Sequence, residues 1–136
     1  DGWDGYPAAR ERLMDLLLST KVTNPIVIGG DVHSSWVADL KRDFNRSDSP
    51  TIATEFCGTS ITSMPPAEGI IQAAKSEGPH IKFATGLHRG YTVMTITNQS
   101  LKTDFRIVAN QRDPDTTVST LAKFVVADGK AGAEQD

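Results

Sequence analysis

Hydrophobic positions change period several times along this chain, and each change marks an element. Over residues 8–20, Leu13, Met14, Leu16 and Leu17 give a broad apolar face at helical spacing. Pro7 stands just before them, suited to a first helical position because its missing N–H has no intrahelical partner to lose. Lys21 follows, favourably placed against the negative helix end. Asn24-Pro25 breaks the run, and the continuous apolar stretch Ile26-Val27-Ile28 reads as a buried strand. Helix, short loop and buried strand make one step of a layered α/β fold.

Beyond residue 33 the period shortens to two. Trp36, Ala38 and Leu40 alternate with Val37, Asp39 and Lys41, which predicts a half-buried strand; a helix from Trp36 is the competing reading. Residues 45–50 are rich in turn formers, and residues 51–57 resume a β-branched extended pattern. These two strands are expected to form a hairpin with a long loop. Residues 58–66 read as a Ser/Thr-rich loop, 67–76 as a short helix closed by Gly78-Pro79, and 81–84 as a short strand. Segments 91–97 and 102–109 flank the hairpin turn Asn98-Gln99-Ser100, and 118–126 adds a last strand before Asp128-Gly129. The reading is an α/β chain with a mixed β-sheet and few helices, forming one unit over residues 1–127. Residues 128–136 are small and polar and are expected to be a disordered tail.

At 136 residues the chain is long enough to bury a core. Its net charge of -3, with basic residues scattered, argues against a nucleic-acid-binding surface. No apolar run approaches the roughly 18 residues that a membrane span requires. The single cysteine, Cys57, excludes an internal disulfide framework and a Cys₂ or Cys₄ zinc site. The first methionine is Met14, inside the first predicted helix, so the N-terminus is expected to arise by processing or truncation.

The candidate chemistry gathers at Gly30-Asp31-Val32-His33, directly after the predicted buried strand. Functional groups collect at the C-terminal edge of such strands. If the segment is extended, Asp31 and His33 point the same way and can reach one metal ion or one substrate oxygen. Carboxylate and imidazole suit iron, manganese or zinc, and Asp alone suits calcium. The plainer reading makes Asp31 a turn cap and His33 a packing residue. Ser34 and Ser35 are caps, phosphate contacts or simple turn residues. Arg89, in the loop that leads into the fifth strand, can pair with phosphate oxygens, a solvent-exposed surface arginine being the alternative. His88 shares that loop, whereas His80, beside a Gly-Pro turn, reads as structural. Cys57 reads as a buried small hydrophobe, with Glu55 on its face as a supporting carboxylate. Thr59, Ser60, Thr62 and Ser63 are possible donors to an anion. Trp3 and Tyr6 can line a cleft edge or anchor the first helix.

Four blocks in order resemble the C-terminal part of PhoD-type alkaline phosphatases. They are Trp3-Asp4-Gly5-Tyr6-Pro7 with its helix, Gly30-Asp31-Val32-His33-Ser34-Ser35-Trp36, Glu55-Phe56-Cys57-Gly58-Thr59-Ser60-Ile61-Thr62-Ser63, and Pro79-His80-Ile81-Lys82-Phe83 with Arg89-Gly90-Tyr91. The resemblance implies the C-terminal half of an α/β/β/α metallophosphatase-like sandwich. It implies that residues 1–127 are the C-terminal portion of a catalytic domain, with Asp31 and His33 as catalytic residues and metal ligands. It further implies iron and calcium as cofactors, a phosphate-ester substrate bound in part by Arg89, and a secreted, periplasmic or extracellular location. Most ligands of a two-metal site come from upstream in that family, so the upstream part of the same polypeptide is the implied partner. The chain alone is expected to be inactive. Two rival readings are a non-catalytic, processed β-rich interaction module, and a phosphodiesterase or phospholipase D-like activity on the same scaffold.

Overall fold

The computed structural model describes residues 2–136. A short 3₁₀ turn, Trp3–Gly5, leads into helix α1, Pro7–Thr20. Pro7 occupies the first helical position as expected, and Lys21 ends the helix in the left-handed region at φ 52°. Met14 is the buried residue of α1, while Leu16 and Leu18 remain exposed. The apolar face read from the spacing is therefore covered only in part.

Eight strands and a second helix follow. The strands are β1 Ile26–Gly29, β2 Ser35–Lys41, β3 Thr51–Cys57, β4 Ile81–Thr85, β5 Arg89–Ile96, β6 Ser100–Val108, β7 Val118–Ala127 and β8 Glu134–Gln135; helix α2 spans Glu68–Glu77. The first sheet is mixed, in the order β1-β3-β2-β4, and the second runs β5-β6-β7-β8. β3 pairs parallel with β1 and antiparallel with β2, so the expected hairpin of β2 and β3 forms. Trp36 lies within β2, which excludes the competing helix. Val37 beside it is fully buried opposite Phe56, a placement that period-two alternation provides.

The two sheets face each other across one core. Val37 and Phe56 of the first sheet meet Leu101, Phe105, Ala122, Phe124 and Val126 of the second. Phe83, partly buried, packs against this core, with ring centroids 5.6 Å from both Phe105 and Phe124. Such tilted and edge-on aromatic pairs add to the burial of their area. The helices lie against the first sheet, α1 on β3 and α2 on β4. This is a partial α/β domain of two helices and two sheets, with the fold class read from the sequence.

The last residues differ from the expected disordered tail. Glu134 and Gln135 pair with Val125 and Phe124, and Ala133 is buried in the core between the sheets. Lys82 Nζ donates to the Ala133 carbonyl and forms an ion pair with Asp39 Oδ2 at 3.0 Å. Gly132, at φ +98°, lies so close that an added Cβ would sit 3.1 Å from Asp39 Oδ1. The small residues that read as a frayed end are what allow the backbone to approach Asp39.

Candidate active site

The topology of the first sheet builds the loop that carries Asp31 and His33. β1 and β2 are not neighbours, because β3 runs between them. Gly29, the last residue of β1, and Trp36, near the start of β2, both pair with Cys57 at the end of β3. Residues 30–34 must therefore cross the C-terminal end of β3, a span of about 10 Å or two interstrand spacings. The chain does so by turning tightly rather than extending. Val32 N–H donates to the Gly30 carbonyl at 2.9 Å, and the residue between them, Asp31, has φ 72°. That combination is a γ-turn of the rare positive-φ kind. His33 follows at φ 56°.

Two non-glycine residues in the left-handed region, two positions apart, replace the extended segment expected from the sequence. Asp and His are among the side chains that tolerate this region best. Each such residue still costs on the order of 1 kcal/mol or more, and persists only where its surroundings hold it.

The surroundings do hold it. Beneath the loop, the chain leaving β3 bonds upward: Gly58 N–H donates to the Gly29 carbonyl at 3.1 Å, and Cys57 Sγ lies 3.5 Å from the Gly30 carbonyl. Thr59 Oγ1 lies 3.2 Å from the His33 carbonyl and 3.1 Å from the His88 carbonyl. Ser34 is buried, donating to the Val32 carbonyl and accepting from Trp36 Nε1 at 2.7 Å. Of the readings open for Ser34, the structure supports a turn residue enclosed by its own loop.

The Asp31 side chain is exposed, and His33 is half-buried. The imidazole Nδ1 lies 3.0 Å from the Met64 carbonyl. A carbonyl only accepts, so Nδ1 carries the proton in this contact and the lone pair is left on Nε2. Metal-bound imidazoles commonly have this arrangement, in which the far nitrogen is fixed by a carbonyl or carboxylate. The donor set of this chain thus fits part of a metal site, with one carboxylate and one oriented imidazole. Among the described residues, no group of three or more His, Cys, Asp or Glu side chains could hold a metal ion.

Arg89, the first residue of β5, is 5% exposed and is not a surface arginine. Its Nη1 donates to the His33 carbonyl at 3.0 Å, to Ser60 Oγ at 2.7 Å and to the Ser63 carbonyl at 2.7 Å. Nη2 donates to the Gly86 carbonyl. Ser60 Oγ in turn donates to the Ser63 carbonyl at 2.6 Å. Next to it, Gly90 packs so tightly that a Cβ would fall 1.9 Å from the Arg106 carbonyl oxygen.

Cys57 and Glu55 flank Gly29, whose ideal Cβ would lie 3.7 Å from both Sγ and Glu55 Oε1. Burial first, then the nearby Glu55 and Asp31 charges, push the Cys57 thiol up to about 11. It behaves as the buried, neutral group read from the sequence. Burial, and after it the Asp4 charge, hold the Glu55 carboxyl above its usual range. His80 packs edge-on against Phe44 at 4.7 Å, and its backbone carbonyl accepts from Asp39 N–H, a structural placement. Trp3 and Tyr6 are largely exposed. The Met64 carbonyl was not foreseeable, since a backbone acceptor carries no residue signature.

A strained loop carrying Asp31 and His33 crosses a strand end of a mixed sheet that is backed by a second sheet, which makes this a partial α/β domain. The comparisons narrow this. The model of the PhoD-like phosphatase family matches residues 1–105. Alkaline phosphatase D of Bacillus subtilis (strain 168) is 39% identical over 97% of this chain, which corresponds to 23% of that protein. A solved structure of PhoD superimposes with a TM-score of 0.88 at 37% identity, covering 98% of this chain and 26% of that one. The chain belongs to the PhoD-like phosphatase family and spans about a quarter of the length of these relatives.

Proposed function

We propose that this chain forms one wall of the catalytic cleft of a phosphatase that hydrolyses phosphate esters outside the cytoplasm. Asp31 supplies a carboxylate ligand and His33 its Nε2 lone pair to a metal centre, with iron and calcium as the expected metals. The observation that carries this reading is the His33 Nδ1 contact with the Met64 carbonyl, which leaves the Nε2 lone pair free on the loop that also carries the exposed Asp31. When bound, such metals neutralise phosphoryl charge and acidify a water for attack on phosphorus. The residues of this chain orient the ligands and spend folding energy on the strained loop beforehand, so that the ligand directions are set before substrate arrives. The remaining ligands are assigned to the upstream part of the same polypeptide, which makes these 136 residues inactive, or nearly so, in isolation.

Asp31→Asn in the full-length enzyme tests the reading. Expected is a loss of several orders of magnitude in turnover on a phosphomonoester, with lowered metal content. Full activity at full metal content overturns it.

A further inference from the structure

Arg89 stands out because its buried charge has no carboxylate partner among the described residues; its acceptors are carbonyls and one hydroxyl. Removing a guanidinium from water is costly unless its donors are met. Here Nη1 and Nη2 find acceptors in three separate segments: the Asp31–His33 loop, residues 60–63, and Gly86 before β5. A planar fork of donors can span such a set, whereas an ammonium is a single point.

The pattern closes a ring around His33. Nη1 holds the His33 carbonyl and the Ser63 carbonyl together. The next carbonyl, that of Met64, accepts from His33 Nδ1. Both ends of the contact that orients the imidazole are therefore anchored on one arginine nitrogen. Nη1 is spent on these three acceptors and Nη2 is tied to the Gly86 carbonyl, so the fork is engaged by the protein itself.

We infer that Arg89 is a positioning residue, which sets the imidazole of His33 by clamping residues 60–64 onto the Asp31–His33 loop instead of contacting the substrate. The inference rests on the phosphatase reading above and changes the part Arg89 plays in it. Removing a group that orients a metal ligand commonly costs about 10–100-fold in metal affinity or activity.

The test uses the full-length enzyme and its Arg89→Lys, Arg89→Met and Ser60→Ala variants. Metal affinity is measured by chelator competition, kcat and KM on a phosphomonoester, and inhibition by inorganic phosphate. Expected for both Arg89 variants is a drop of about 10–100-fold in metal affinity and kcat, with KM and phosphate inhibition nearly unchanged. Added guanidinium should restore part of the loss in Arg89→Met. Ser60→Ala, which keeps the arginine and so guards against a failure to fold, should shift metal affinity the same way by a smaller factor. A raised KM and weakened phosphate inhibition at unchanged metal affinity would make Arg89 a substrate contact and overturn the inference. So would variants that lose only thermal stability, their folded fraction keeping wild-type metal affinity and kcat. Asp31→Asn, run alongside, reports on the phosphatase reading separately: if it alone is silent, the reading fails rather than the role of Arg89.

Discussion

The loop over β3 and the C-terminal strap solve the same problem in opposite ways. Both must hold irregular backbone against a sheet. At the strap, Ala131, Gly132 and Ala133 are small enough for close approach, and Lys82 joins an acidic partner, Asp39, to a backbone carbonyl. Strain there falls on Gly132, where it is cheap. At the loop, strain falls on Asp31 and His33, where it is not, and the cation that holds the His33 carbonyl has no carboxylate partner among the described residues. A carboxylate beside Arg89 would draw its donors away from the carbonyls that define the loop. The strap is built for stability, and the loop spends stability to hold Asp31 and His33 in a tight turn over the end of β3.

The largest expected effect is at Gly90, beneath the loop. Gly90→Ala places a carbon inside the van der Waals radius of the Arg106 carbonyl, with backbone rather than a flexible side chain in the way. A destabilisation above about 4 kcal/mol, or failure to fold, is expected in denaturant titration. A near-neutral result would show that β5 and β6 can separate there and that the loop is less firmly held than described.

At the strap, Asp39→Ala should cost about 1–2 kcal/mol, less than a fully buried pair because Lys82 keeps access to water. Amide hydrogen exchange at Glu134 and Gln135 should quicken while that at residues 30–34 stays unchanged. Equal acceleration in both places would break the distinction between the two regions.

Beside the loop, Glu55 gives a smaller effect of the opposite sign. Its carboxyl is held above the usual range, so the folded state binds its proton more tightly than the unfolded chain does. Its contribution is therefore favourable below the ordinary carboxylate range and is lost as pH rises through the folded value. Glu55→Gln should raise the denaturation midpoint at pH 7, and the gain should vanish in acid. Least disruptive is Cys57, whose folded thiol ionises near 11. Alkylation of the native protein should stay slow at pH 8 and accelerate only as pH nears that value, while the unfolded chain reacts in the ordinary thiol range. Rapid native labelling at pH 8 would mean that the end of β3 opens.

Much of this was legible in one dimension because local signals agreed. Pro7 set the start of α1, the alternation around Val37 fixed β2 as a strand, and the β-branched run at Thr51–Cys57 marked β3 to the residue. Asp31 and His33 were found from their position after an apolar strand. Their backbone was misread as extended, because nothing local says that β3 will be inserted between β1 and β2. Arg89 was open to a surface reading for a similar reason: its four acceptors come from segments up to 56 residues away. Composition misled at the tail, where Ala133 is small enough to read as loop and small enough to be core.

The sequence by itself determined most of the elements, the family and the two candidate side chains, Asp31 and His33, since periodicity, turn chemistry and motif order are properties of neighbouring residues. Only the tertiary structure decided the strand order, the left-handed turn under Asp31 and His33, the clamp of Arg89 and the docking of the last residues. Each of these depends on which distant backbone groups must be satisfied once water is excluded, and that is settled only when the sheets have closed on each other.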